Sequence, residues 1–242
     1  LYLNRPEKFN ALNTSLLNKI NSALKKISKD DKIRVIILTG IGEKAFAAGA
    51  DISEFSEFKS KEAMNLSKKG KEKVFDFIED FSKPVIAAIN GYALGGGLEL
   101  ALSCDIRIAS DNALMGFPET SLGTIPGYGG TYRLAEIVGK GIAKEMILTC
   151  RKISAKEALE IGLISYLTEK SELLDKATEV ANQIIMNSPN AINSAVKAIN
   201  YSGRDSQKSC SEIESKYFSK CFDHPEFKKG VSAFLNKQKP NF

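Results

Sequence analysis

Residues 83–110, KPVIAAINGYALGGGLELALSCDIRIAS, decide how the chain folds. KPVIAAING is apolar at nearly every position, as a strand covered on both sides must be, and IRIAS at the far end reads the same way. Between them the glycines lead into GGLELALSCD, a short helix. A strand, a helix and a further strand in so few residues require parallel strands joined by a crossover. Toward the amino terminus, IRVIILTG (33–40) is another β-branched run, closed by glycine. Before it, NTSLLNKINSALKKISKD (13–30) opens on an asparagine or threonine cap and sets Leu16, Leu17, Ile20, Leu24 and Ile27 on one helical face. Residues 59–81 return to helical spacing, with Val74, Phe77 and Ile78 on one side and lysines elsewhere. From about Gly127 onward nearly every segment reads as helix, through GGTYRLAEIVGK, GIAKEMILTC, SAKEALEIG, ELLDKATEVANQIIMNS, NAINSAVKAINYS and SEIESKYFSKCF. With no internal repeat and no low-complexity linker, the expectation is an α/β core followed by a helical region packed on the core or on another subunit.

Composition narrows the chemistry. The chain has 242 residues, 43% of them hydrophobic, which suffices for a sizeable core and excludes a disordered chain. Its net charge of +5 is spread along the sequence, as on an ordinary basic surface. Cys104, Cys150, Cys210 and Cys221 form no CxxC pair and read as reduced thiols of an intracellular protein. His224 is the single histidine, so a His–Cys metal site or a Ser–His–Asp triad lacks raw material. Chemistry must then use carboxylates, lysines, hydroxyls or backbone. No apolar run approaches the roughly 20 residues that span a bilayer. The opening LYLNRP reads as the end of a strand entering a turn, and an upstream strand or targeting peptide is expected before Leu1.

Three motifs carry the functional reading. TGIGEKA matches G-x-G-x-x-A through Gly40, Gly42 and Ala45, but it continues into small residues instead of opening a helix on a pyrophosphate, so dinucleotide binding is set aside. FAAGADISEF is small-sided, which lets its backbone N–H groups approach a ligand. Gly95, Gly96 and Gly97 stand where a helix begins and N–H groups are unpaired. Two such loops at strand ends can put two N–H groups on one carbonyl oxygen and stabilise an enolate or a tetrahedral oxyanion. Glu99 lies just inside that helix among leucines and alanine, and Glu119 sits among apolar and glycine residues in MGFPETSLGTIPGYGG. Carboxylates in such surroundings need a reason to be there, and a pair of them can divide acid and base roles. Adding water to a conjugated thioester needs these parts: oxygen donors, a base for water and a proton source for the α-carbon.

Five blocks, LNRPEKFNALN, KAFAAGADI, KPVIAAINGYALGGGLELALSCDIRIAS, GFPETSLGTIPGYGGTYRL and KGVSAFLNKQKPNF, resemble the crotonase superfamily and within it the enoyl-CoA hydratases. They follow the family's order over nearly the whole chain. The resemblance implies a ββα spiral catalytic core over 1–190 and a helical C-terminal trimerisation region over 191–242, assembled as a homotrimer or homohexamer. It implies reversible syn hydration of a trans-2-enoyl-CoA to a 3-hydroxyacyl-CoA, in fatty acid β-oxidation or related acyl-CoA metabolism, without metal or redox cofactor and without a membrane partner. Glu99 and Glu119 look like the catalytic carboxylates, and Ala50 and Gly96 like the oxyanion donors. The loop of Ala48, Ala50, Asp51, Ile52 and Ser53 would hold the coenzyme A end of the thioester, mainly through backbone. Lys237 is similar to a lysine that reaches a coenzyme A phosphate from a neighbouring subunit. The expected compartment is a bacterial cytoplasm or, behind a targeting peptide, the mitochondrial matrix. The chain departs from the pattern at Tyr132, where GGTQRL is common, and at Gln238, where arginine is common; both bear on chain length and coenzyme contacts.

Two other readings compete. A Δ3,Δ2-enoyl-CoA isomerase of the same superfamily needs one carboxylate, whereas this chain keeps both. RNA binding would use Lys59, Lys61, Lys68, Lys69, Lys71 and Lys73, but Glu62 and Glu72 interrupt that series and no aromatic stacking platform accompanies it.

Overall fold

The chain winds in turns that each lay one strand in each of two sheets and then a helix. The computed structural model describes residues 1–201 and 207–242; Ser202, at the end of one expected helix, lies outside them. In the first turn β2 (Ile36–Gly40) and β3 (Ala45–Ala47) precede α2 (Ser60–Gly70). In the second, β4 (Val85–Ile89) and β5 (Tyr92–Leu94) precede α4 (Gly96–Leu102), and in the third β6 (Ile106–Ser110) and β7 (Leu114–Gly116) precede α5 (Gly130–Thr149). The larger sheet has the order β1-β2-β4-β6-β9, where β1 is Tyr2–Leu3 and β9 is Tyr166–Thr168, and all its neighbours are parallel. The smaller sheet, β3-β5-β7-β8, ends on β8 (Lys152–Ser154), which pairs antiparallel with β7.

Strand β4 shows why the apolar runs fold this way. Val85, Ala87 and Ile89 enter the main core, while Ile86 and Ala88 meet Leu173, Ala177 and Val180 of α7 (Leu173–Ile185). Both faces are covered, so no position can be polar. Helix α1 (Thr14–Ile27) is capped by Asn13, whose side-chain oxygen accepts from Leu16 N at 2.8 Å.

Two expectations need correction, and one sheet went unseen. The second half is not nearly all helix, because β8 and β9 lie in it. The smaller sheet was unseen because its strands are three residues each, too short for alternation to register. Residues 59–81 contain a π-helical turn at Lys71–Phe75 before α3 (Asp76–Glu79), and this wider turn rotates the inward face. Val74, Phe75, Ile78 and Phe81 are therefore the buried hydrophobic residues, and Phe77 is half-buried. The two helices expected over 129–150 are both present, joined end to end as α5 across a kink at Gly139, whose backbone (φ +80°) is not helical.

The remaining helices are α6 (Ala155–Glu160), α8 (Pro189–Tyr201), α9 (Gln207–Asp223) and α10 (Pro225–Leu235). Among the described residues no helix is long and apolar enough to cross a membrane.

Candidate active site

The site forms where α4 begins, against the loop that follows β3. Gly95 has φ +49°, and its N–H donates to Gly116 O at 2.9 Å, tying the turn to β7. A side chain there would adopt a strained backbone and would meet Glu119 Oε1 at 2.5 Å. The opposite loop is held by Leu12, whose N–H donates to Gly49 O at 2.8 Å and whose carbonyl accepts from Asp51 N at 2.9 Å. That parallel pairing leaves the intervening Ala50 N–H facing the other way. A Cβ on Gly96 would lie 3.3 Å from Ala50 N, so the two residues are in close contact. Among the described residues neither the Ala50 nor the Gly96 N–H donates to a protein acceptor. The result is two free donors side by side at a helix N-terminus, where negative charge is favoured.

The two carboxylates differ in surroundings. Glu99 is 1% exposed, and its Oε1 accepts from Tyr128 N at 2.6 Å and Gly130 N at 2.7 Å. Burial holds its pKa above the ordinary value, against the downward pull of those N–H groups and of the Arg133 charge. Glu119 opens the 3-10 turn Glu119–Leu122 and is half-buried, and its Oε2 is buried with no hydrogen-bond partner among the described residues. Burial pushes the Glu119 pKa up to about 7, with the negative charge of Glu99 adding to the rise. One carboxyl is held by donors suited to the anion; the other takes up a proton near neutrality.

Sequence reasoning named Ala50, Gly96, Glu99 and Glu119, and the fold brings all four together. Ala48 and Asp51 flank the Ala50 donor, and the Asp51 carboxylate pairs with Arg5 at 3.0 Å and accepts from Ser53 Oγ at 2.6 Å. Ile52 and Ser53 are exposed on the same loop. Lys237 is exposed just beyond α10, with no hydrogen bond or ion pair to the other predicted residues among those described. Three contributors went unread: Tyr128 and Gly130, which supply the N–H groups on Glu99, and Arg133, which donates to the Tyr128 carbonyl. Arg133 had a signal, a guanidinium beside Leu134 on the inward face of an amphipathic helix. The other two had none, because backbone donors leave no side-chain signature.

Paired N–H donors beside two carboxyls in unequal surroundings, on a spiral of ββα turns, define a protein that can polarise a carbonyl and move protons next to it. The chain belongs to the enoyl-CoA hydratase/isomerase family, whose sequence profile matches residues 1–242. It is 46% identical over 237 residues to the short-chain-enoyl-CoA hydratase of Clostridium acetobutylicum, covering 98% of this chain and 90% of that one. Identity to the crotonyl-CoA hydratase of Syntrophomonas wolfei is 42% over 242 residues, covering 100% and 93%. The crystal structure of an enoyl-CoA hydratase from Bacillus anthracis superimposes with a TM-score of 0.92 at 39% identity, covering 100% of this chain and 93% of that one.

Proposed function

We propose that the chain is an enoyl-CoA hydratase, adding water reversibly and syn across a trans-2-enoyl-CoA to give a 3-hydroxyacyl-CoA. The observation that carries this reading is the unequal carboxyl pair beside two free N–H donors. Ala50 and Gly96 N–H groups hold the thioester oxygen and stabilise the enolate-like charge that develops on it. Glu99, whose anion is met by two N–H donors, takes a proton from water as the hydroxyl adds to the β-carbon. Glu119, favoured as the acid, gives its proton to the α-carbon. The two carboxyls thereby exchange protonation states, and dehydration runs the same transfers backward. No step calls for a metal or a redox cofactor.

The loop of Ala48, Asp51, Ile52 and Ser53 receives the coenzyme A end, and Lys237 reaches a coenzyme A phosphate from a neighbouring subunit of a homotrimer or homohexamer. The acyl chain of this reading is a short one. The Tyr128 ring lies against Gly96, packs on Gly70 and stacks on Phe75 at 4.6 Å, which fills the space beside the oxygen donors with aromatic bulk. The names of the Clostridium and Syntrophomonas relatives agree with that preference. A bacterial cytoplasm or a mitochondrial matrix is the compartment this reading calls for.

The test is the loss of enoyl absorbance from crotonyl-CoA with wild type, Glu99→Gln and Glu119→Gln. Rapid loss with wild type and a fall on the order of a hundredfold or more in each variant is expected. Near wild-type hydration by either folded variant would sink the assignment, and conjugation of a 3-enoyl-CoA without water addition would favour the isomerase.

A further inference from the structure

We propose that Arg133 is a positioning residue for Glu99, acting through the turn that supplies the two N–H groups on its Oε1. The inference rests on the reading of Glu99 given above. The 127–130 turn, Gly-Tyr-Gly-Gly, has little side-chain mass to hold it, yet it must fix two donors at 2.6 and 2.7 Å from one carboxylate oxygen. Arg133 Nη1 donates to Tyr128 O at 2.9 Å. That carbonyl belongs to the peptide lying between the two donor residues, so anchoring it constrains both N–H groups.

The guanidinium is itself fixed. Arg133 is 2% exposed; Nη2 donates to Asp76 Oδ1 at 2.7 Å and Glu79 Oε2 at 2.6 Å, and Nε donates to the same Glu79 oxygen at 3.2 Å. Both acids stand on α3, directly after the π-helical turn. A buried cation with two acidic partners and one backbone acceptor makes a rigid fork, which a lysine's single ammonium cannot reproduce. Arg133 touches neither water nor substrate in this account; it sets where Glu99 points and favours the ionised form. The charged or titratable groups facing Glu99 are Arg133 from α5, Glu119 from the 119–122 turn and Tyr128.

The test compares Arg133→Met and Arg133→Lys with wild type in crotonyl-CoA hydration across pH, with folding checked by circular dichroism. Loosening the turn is expected to lower kcat about tenfold to a hundredfold with KM changed less than about threefold. In Arg133→Met the acid limb of kcat/KM moves to higher pH, because the charge favouring Glu99 as an anion is gone. Arg133→Lys restores the limb and only part of kcat. If the methionine variant does not fold, the lysine variant alone still carries the test through the split between kcat and KM. A double-mutant cycle separates positioning from mere support: in a Glu99→Gln background, Arg133→Lys should have little further effect. Wild-type kcat with an unmoved limb in the folded variants, or an equal loss in the Glu99→Gln background, would overturn the proposal. Full activity of Glu99→Gln alone would instead overturn the reading of the site.

Discussion

At the scale of single residues, Glu119 sets function against stability. Its pKa is raised from the ordinary 4.5 to about 7, so the folded state favours its neutral form. The associated stability is fully present below 4.5 and is lost as pH rises through about 7. Glu119→Gln should therefore unfold at higher temperature than wild type at pH 8, by the equivalent of about 2 kcal/mol after allowing for partial exposure, and the difference should vanish at pH 4. The same substitution should slow hydration, and the fall of wild-type kcat/KM above about pH 7 should be absent from the residual activity. Thermal melts and pH–rate profiles on one pair of proteins check both. Tyr128→Ala, which removes the ring beside Gly96, should raise kcat/KM for six- and eight-carbon enoyl-CoA relative to crotonyl-CoA; an unchanged ratio would dissociate Tyr128 from chain-length choice. Glu99 and Glu119 were legible in the sequence because a carboxylate among leucines, alanines and glycines demands an explanation. Tyr128 was not, since an aromatic in a glycine turn looks the same whether it fills a pocket or faces solvent.

At the scale of elements, the contact of α4 with β3 fixes the distance between the two donor loops. A Cβ on Gly97 would stand 1.9 Å from Ala47 O, a backbone atom that cannot move without displacing the strand. Gly97→Ala is expected to cost about 3 kcal/mol by overpacking and to lower hydration further by parting Ala50 from Gly96, as read from urea denaturation and kcat. Gly141, exposed within α5 with open space around its Cβ, is the contrast. Gly141→Ala should raise stability by about 0.5–1 kcal/mol with unchanged activity. The strands β2, β4 and β6 could be read from sequence because each is five residues long and rich in isoleucine and other apolar residues. The three-residue strands of the second sheet could not, since they form only where a neighbour supplies hydrogen bonds.

At the scale of the whole molecule, Phe218 on α9 and Leu235 on α10 stand exposed in the terminal helical region. Large apolar side chains in that position suit burial against other copies of the chain. Sedimentation should give a trimer or hexamer, shifted toward monomer by Phe218→Asp with Leu235→Asp; a monomeric wild type would remove Lys237 from any neighbour's site. The sequence by itself determined the parallel core, the capped first helix, the two glycine loops and the two carboxylates, because each depends on residues close together in the chain. Only the tertiary structure decided that Ala50 and Gly96 lie side by side, that Glu99 is held by two N–H groups from a turn about thirty residues away, and that Arg133 anchors this turn. Those relations are between backbone atoms of different elements, and backbone N–H groups are the same in every residue but proline, so no side-chain pattern encodes where they will meet.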